Sequence, residues 1–136
     1  TYIKKFLKDL PCICRDDIRE EVTDGQVLGR KLMLDDQGEK AVTNIVNERI
    51  KNCCINKKDF VINQTSLKKK YRLDFKELAF KYANVNVIYV YVEAPSIQEC
   101  IDRRGGGKWN DIIKRMWSCF EFPDKSECNK MIIYKQ

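Results

Sequence analysis

The spacing of the apolar positions changes along the chain, and each change marks an element. Ile3, Phe6, Leu7 and Leu10 fall on one side of a helix over residues 1–9. A short apolar piece at 11–14, carrying Cys12, Ile13 and Cys14, predicts a strand. A helix is expected to start near Asp16, whose carboxylate is a good N-cap. Residues 25–38 are looser and polar, and from Glu39 to Cys54 the apolar positions Val42, Ile45, Val46, Ile50, Cys53 and Cys54 return to helical spacing. Phe60-Val61-Ile62 runs apolar without alternation, the pattern of a strand buried on both faces in a parallel sheet. It ends in Asn63-Gln64-Thr65-Ser66, and a helix to about Tyr82 follows, with Leu67, Tyr71, Leu78 and Tyr82 on one stripe. Val87 to Val92 is the strongest strand signal, again unalternated, and Ser96-Ile97-Gln98-Glu99 reads as a capping box opening a helix. Arg103-Arg104-Gly105-Gly106-Gly107-Lys108 breaks that helix. A further one carries Ile112, Ile113, Met116, Trp117 and Phe120 and ends at Pro123, and Met131 to Tyr134 form a last strand.

Buried strands alternating with helices predict an α/β fold, a three-layer α/β/α arrangement around a mainly parallel sheet. The 136 residues form one domain, 1–136, with no repeats and no linker. In such sheets the ligand sits at the carboxyl ends of the strands. That rule selects Arg15 to Arg19, Asn63 to Ser66 and the region of Ser96.

Composition narrows the class. Forty-three per cent of the residues are apolar, enough for a core and against disorder. No apolar run approaches the roughly 20 residues of a membrane span, and the amphipathic start does not read as a signal peptide. Seven cysteines, an odd number, with no paired Cys-x-x-Cys and no histidine, argue against a disulfide scaffold and against zinc. The reading is reduced, mostly buried thiols in an intracellular, cytoplasmic protein. The net charge of +6, with clusters at Lys57-Lys58, Lys68-Lys69-Lys70 and Arg103-Arg104, favours anionic partners such as nucleic acid or nucleotides. A solvated lysine face is the plainer account of the Lys68 to Lys70 run.

Four features stand in order. One strand ends in Arg15-Asp16-Asp17-Ile18-Arg19, and a second ends in Asn63-Gln64-Thr65-Ser66-Leu67 with Arg72 soon after. A third strand is followed by a helix ending in Arg103. The basic glycine break then leads through a helix to Phe120-Glu121-Phe122-Pro123, with Glu127 beyond. This set resembles the polynucleotide kinase-like branch of the P-loop kinases, with the 5′-hydroxyl polynucleotide kinases as the nearest named type, over nearly the whole chain. The resemblance implies a P-loop kinase-like fold, ATP and Mg²⁺, and phosphoryl transfer to the 5′-hydroxyl end of DNA or RNA. The family's defining loop, G-x-x-x-x-G-K-[ST], is absent from the chain. Thr1 to Leu7 resembles the helix that comes after this loop, with Thr1 in the place just after Gly-Lys-Ser. The expectation is therefore a domain lacking its first strand and phosphate loop. Alone it would bind ATP poorly, and an opened sheet edge would drive aggregation or dimerisation.

By the same resemblance Asp16 is the general base and Arg19, one turn on and on the same face, clamps an acceptor phosphate. Arg15 touches substrate or faces water, and Asp17 caps or supports. Arg103 resembles the first arginine of a lid at about 103–110; Lys108 is the candidate for its second cation, with Arg104 behind it. Asn63 stands where relatives carry an Asp near the magnesium, so an oxygen is kept and a charge lost. No residue is assigned as a direct metal ligand. Thr1, Asn63, Thr65 and Arg104 make up the nucleotide side, and Thr65 caps the next helix or contacts a phosphate. Tyr71 and Trp117 are expected in the core and Arg72 in water, while Trp109 at the lid edge has the geometry to stack on a base. Glu127 matches a family position with no chemistry to assign. Two other readings share these residues: a small-molecule kinase of the same fold, and a non-catalytic nucleic-acid-binding remnant.

Overall fold

The computed structural model describes residues 2–24 and 34–135. Its elements follow the order α1 (Tyr2–Phe6), β1 (Cys12–Cys14), α2 (Arg15–Val22), α3 (Asp36–Ile55), β2 (Val61–Asn63), α4 (Lys69–Phe80), β3 (Ile88–Glu93), α5 (Ile97–Arg103), α6 (Trp109–Ser118), a 3₁₀ turn at Lys125–Glu127 and β4 (Lys130–Lys135). Helices and strands alternate as expected and the chain is α/β. β1 pairs with β2 in parallel, setting Ile13 beside Ile62 and Cys14 beside Asn63. β3 pairs with β4 in parallel, from Ile88 beside Lys130 to Glu93 beside Lys135. Each ladder is two strands wide.

The chain divides into two compact units: Ile3–Thr65 with Glu77–Val85, and Ser66–Lys76 with Asn86–Gln136 and Tyr2. The first unit is built on α3. Val42, Val46, Ile50 and Cys54 recur every fourth residue and are all buried, together with Ile13 and Cys14 of β1 and Ile18 of α2. Ile45 and Cys53 flank this stripe half-buried. Gly38, within the stretch expected to be loose, lies in the first turn of α3, where Asp35 is the N-cap and accepts from its N–H at 2.7 Å. Ile50→Ala empties a fully buried site and is expected to cost about 2–5 kcal/mol. A urea melt checks this: the midpoint falls while the slope is kept.

The second unit has a thinner apolar centre. Ile101 is buried, and Tyr91 stacks on Phe120 at 5.6 Å and meets Phe122 edge-on at 5.0 Å. A buried ion pair, Arg72–Glu127, does much of the organising. Arg72 Nε donates to Glu127 Oε2 at 2.9 Å and Nη2 to Oε1 at 3.2 Å, while Nη1 holds the carbonyls of Ser66 and Leu67. Glu127 Oε1 also accepts from the Asp124 N–H, closing a reciprocal capping box with the Asp124 carboxylate. Burial and the neighbouring Glu127 push the Tyr89 phenol up.

Several expectations need correction. Arg72 is buried and Tyr71 exposed, the reverse of the sequence reading. On a helix these neighbours point about 100° apart, and the carboxylate of Glu127 draws the arginine inward. Trp117 is 47% exposed rather than core. α6 ends at Ser118, five residues before Pro123, so proline does not terminate it. β3 and β4 are not buried on both faces: Ile88 and Val92 of β3 and Ile133 of β4 are exposed, because side chains leave a sheet through its faces and these are not covered by a packed layer. At α5 the Ser96 hydroxyl accepts from the Glu99 N–H at 3.1 Å as expected, but the Glu99 carboxylate pairs with Arg103 at 2.6 Å.

Candidate functional site

α2 begins directly at the end of β1. Cys14, still extended, is its N-cap residue and makes no side-chain cap bond. Asp16 is therefore not the N-cap; it sits within the first turn, where its Oδ1 accepts from Arg19 Nη1 at 2.7 Å. With no loop between strand and helix, Arg15 is the first residue past β1. Gln64 is the first past β2, and the parallel register that pairs Cys14 with Asn63 brings the two strand ends level. A cleft of about 170 Å³ lies there, lined by Arg15, Asp16, Arg19, Asn63, Gln64 and Thr65. Two stretches nearly fifty residues apart in sequence thus line one site.

Its electrostatics are organised by a residue the sequence did not single out. Glu39, in the first turn of α3, accepts from Arg19 Nε at 2.7 Å, Arg19 Nη2 at 3.0 Å, Arg15 Nη2 at 2.8 Å and the Leu34 N–H at 3.1 Å. Arg15 Nη2 also reaches the Glu39 carbonyl at 3.0 Å. These donors, Arg19 foremost, hold the Glu39 carboxyl down to about 2. Arg19 in turn is pushed further up by Glu39 and keeps its charge. A second tie between the same helices, Arg49 with Glu21, lies at the far end of α2. Burial pushes the Cys12 and Cys14 thiols up, so neither is a ready nucleophile.

This network changes what each group can do. Arg19 is mostly buried, with Nε, Nη1 and Nη2 all engaged, so a fixed guanidinium positions Asp16. Asp16 is half-exposed, and its Oδ2 has no hydrogen-bond partner among the described residues. Among the described residues Arg15 bonds through Nη2 alone, which leaves Nε and Nη1 for a ligand. The Gln64 amide nitrogen is shut off from water and donates to nothing among the described residues. A buried donor left so costs roughly 1–3 kcal/mol.

The remaining candidates are placed otherwise. Asn63 and Thr65 line the cleft from β2 and are exposed. Thr65 does not cap α4: that helix starts at Lys69, whose N–H is taken by the Glu121 carboxylate at 2.7 Å. Thr1 lies outside the described residues. Arg103, Arg104 and Lys108 are not among the residues lining the cleft. They flank Gly105, Gly106 and Gly107, which adopt φ of 75°, 65° and 62°, a left-handed run that glycine adopts without strain. Arg103 pairs with Glu99, while Arg104 and Lys108 stand over the Trp109 ring at 5.2 and 5.6 Å. Among the described residues no group of three or more His, Cys, Asp or Glu side chains is set to hold a metal ion. Nor is any helix among them long and apolar enough to cross a membrane.

Glu39 was hidden because a lone glutamate at a helix start reads as a solvated or dipole-favoured charge; its partners are chosen only in the tertiary fold. Glu39→Gln leaves two arginines without their carboxylate and is expected to cost about 2–3 kcal/mol at neutral pH. The carboxyl is lowered from 4.5 to about 2, so its stabilisation is whole above 4.5 and drains away as pH falls toward 2. Stability curves from pH 2 to 7 check this, and the variant should lose less than the parent over that acid range.

No family model, no curated protein and no solved structure matches the chain.

Proposed function

We propose that the chain is the acceptor-side part of an ATP-dependent kinase that transfers the γ-phosphate of ATP to the 5′-hydroxyl of DNA or RNA. The observation that carries the reading is the cleft at the carboxyl ends of two parallel strands, lined by Asp16 and Arg15 from one and Asn63 to Thr65 from the other. Ligand groups at that end of a parallel sheet are the arrangement of doubly wound nucleotide-binding folds. This supports a three-layer, P-loop kinase-like architecture. The two-strand width of each ladder supports a sheet that a further strand completes.

In this reading Asp16 Oδ2 takes the proton of the acceptor hydroxyl. The hydroxyl oxygen bonds to the γ-phosphorus as the bond to the β–γ bridging oxygen breaks, releasing ADP. Arg19, fixed by Glu39, aims Asp16, and the open side of Arg15 meets the acceptor's phosphate. Arg103 and Lys108, with Arg104 behind them, act as lid cations on the transferring group. Their own partners, Glu99 and the Trp109 ring, hold them ordered meanwhile. The cleft residues supply groups for the acceptor; the G-x-x-x-x-G-K-[ST] loop that this reading needs for the nucleotide's phosphates is not in the chain's sequence. Asn63 would offer a neutral oxygen toward the water shell of a magnesium ion bound with ATP, whose charge would offset that of the phosphates. Free thiols at all seven cysteines support a reducing, cytoplasmic setting.

Salt dependence tests the acceptor class. Two phosphate contacts already weaken binding about tenfold between about 50 and about 200 mM salt. A 5′-hydroxyl oligonucleotide is expected to lose at least that much affinity for the chain. Salt-independent binding would point to a small acceptor, and no binding would remove nucleic acid as the partner.

A further inference from the structure

The hydrogen-bond capacity of the cleft is lopsided. Its four ionised groups, Arg15, Arg19, Asp16 and Glu39, cancel in charge and are bonded to one another. Among the described residues, Arg15 Nε and Nη1 have no hydrogen-bond partner, and Gln64 Nε2 is the one lining atom both shut off from water and unpartnered. Buried polar nitrogens without partners are rare, and each calls for a group that completes it. Gln64 follows β2 directly as Arg15 follows β1, and the register Cys14 beside Asn63 makes the two consecutive with adjacent, paired strand residues. Both line the same cleft.

We propose that Gln64 and Arg15 form an oxyanion subsite, in which the Gln64 amide and the open edge of the Arg15 guanidinium donate to oxygens of one phosphate group. Arg19 has less to offer an anion here, because it is mostly buried and Glu39 and Asp16 take three of its five N–H donors. Because the Arg15 charge is already paired with Glu39, the pair offers directed donors rather than net charge, which suits a singly charged internal phosphodiester better than a doubly charged terminal phosphate. The identification of the anion as phosphate rests on the kinase reading of this cleft; the donor pair does not.

The test is a ¹H–¹⁵N spectrum of the chain's side-chain amides, with the Gln64 pair assigned by its loss in Gln64→Met. Inorganic phosphate is titrated at constant ionic strength, and a 5′-hydroxyl dinucleotide with one bridging phosphate and ADP are titrated separately. The Gln64 resonances are expected to move with phosphate and with the dinucleotide, and to stay in place with ADP. Gln64→Met and Arg15→Met should each weaken phosphate binding about tenfold or more, the value of a charge-assisted hydrogen bond. If Gln64→Met does not fold, Gln64→Asn, which keeps the amide but shortens its reach, takes its place with the same expectation. Phosphate shifts that leave Gln64 unmoved, affinities unchanged in the variants, or no phosphate binding at all would overturn the subsite. Movement with ADP alone would give the subsite to the donor nucleotide and overturn its acceptor role. Phosphate binding at Gln64, with no phosphoryl transfer once a phosphate loop is supplied to the chain, would keep the subsite and remove the kinase. Transfer that is indifferent to Gln64 would do the opposite.

Discussion

Glu127→Ala is expected to destabilise the protein by about 3–5 kcal/mol. The loss is that large because Glu127 and Arg72 are both buried, and truncating one leaves the other's charge in a low-dielectric interior without its partner. The Glu127 carboxylate also accepts from the Asp124 N–H at 2.8 Å, so the turn before β4 loses its capping bond as well. Set against a total stability of about 5–15 kcal/mol for a domain, the change moves a urea midpoint by a molar or more. Arg72→Met with Glu127→Leu is expected to recover most of it, because two well-packed apolar groups avoid the unpaired charge. The pair is pH-dependent with a definite sign. Arg72 holds the Glu127 carboxyl below its ordinary value, so the stabilisation is complete above about 4.5 and lost as pH falls through the lowered value. Equal midpoints for Glu127→Ala and the parent would show that the pair contributes nothing.

Asp16→Asn is expected to lower the rate of phosphoryl transfer by about 10²- to 10⁴-fold, the usual contribution of a positioned general base. Asn has the same shape and still accepts from Arg19, so the acceptor should bind nearly as before and the loss should fall on kcat. Stability separates this from unfolding. The Asp16–Arg19 pair is half-exposed on the aspartate side, and such pairs contribute less than about 1 kcal/mol. A melting midpoint close to the parent's, beside a rate lower by orders of magnitude, is the expected combination.

Periodicity carried the element order. Val42, Val46, Ile50 and Cys54 recur every fourth residue and became the core, and Gly105 to Gly107 broke a helix where three left-handed residues are needed. The cleft was legible too, because the ends of parallel strands are where such folds bind ligands, and the stretches starting at Arg15 and Asn63 both end strands. What failed was the choice of partners. Arg72 next to Lys68, Lys69 and Lys70 reads as one more solvated cation; only Glu127, fifty-five residues away, explains its burial. Glu39 reads as an ordinary first-turn acid until Arg15 and Arg19 reach it. Strand burial was overestimated because an apolar run announces faces that a packed layer would cover and not whether that layer is there. Asp16 has the side chain of a good cap, but β1 runs straight into α2 and puts Cys14 in the N-cap place.

The most direct measurement supplies the strand and phosphate loop that the kinase reading requires, joined to this chain, and follows γ-labelled Mg-ATP with a 5′-hydroxyl oligonucleotide. Label on the 5′-oxygen of the oligonucleotide, nearly abolished in Asp16→Asn while the protein stays folded, is the result predicted by the kinase reading. Transfer that proceeds equally well without the Asp16 carboxylate, or a folded, nucleotide-bound protein that transfers nothing to any 5′-hydroxyl end, would contradict it.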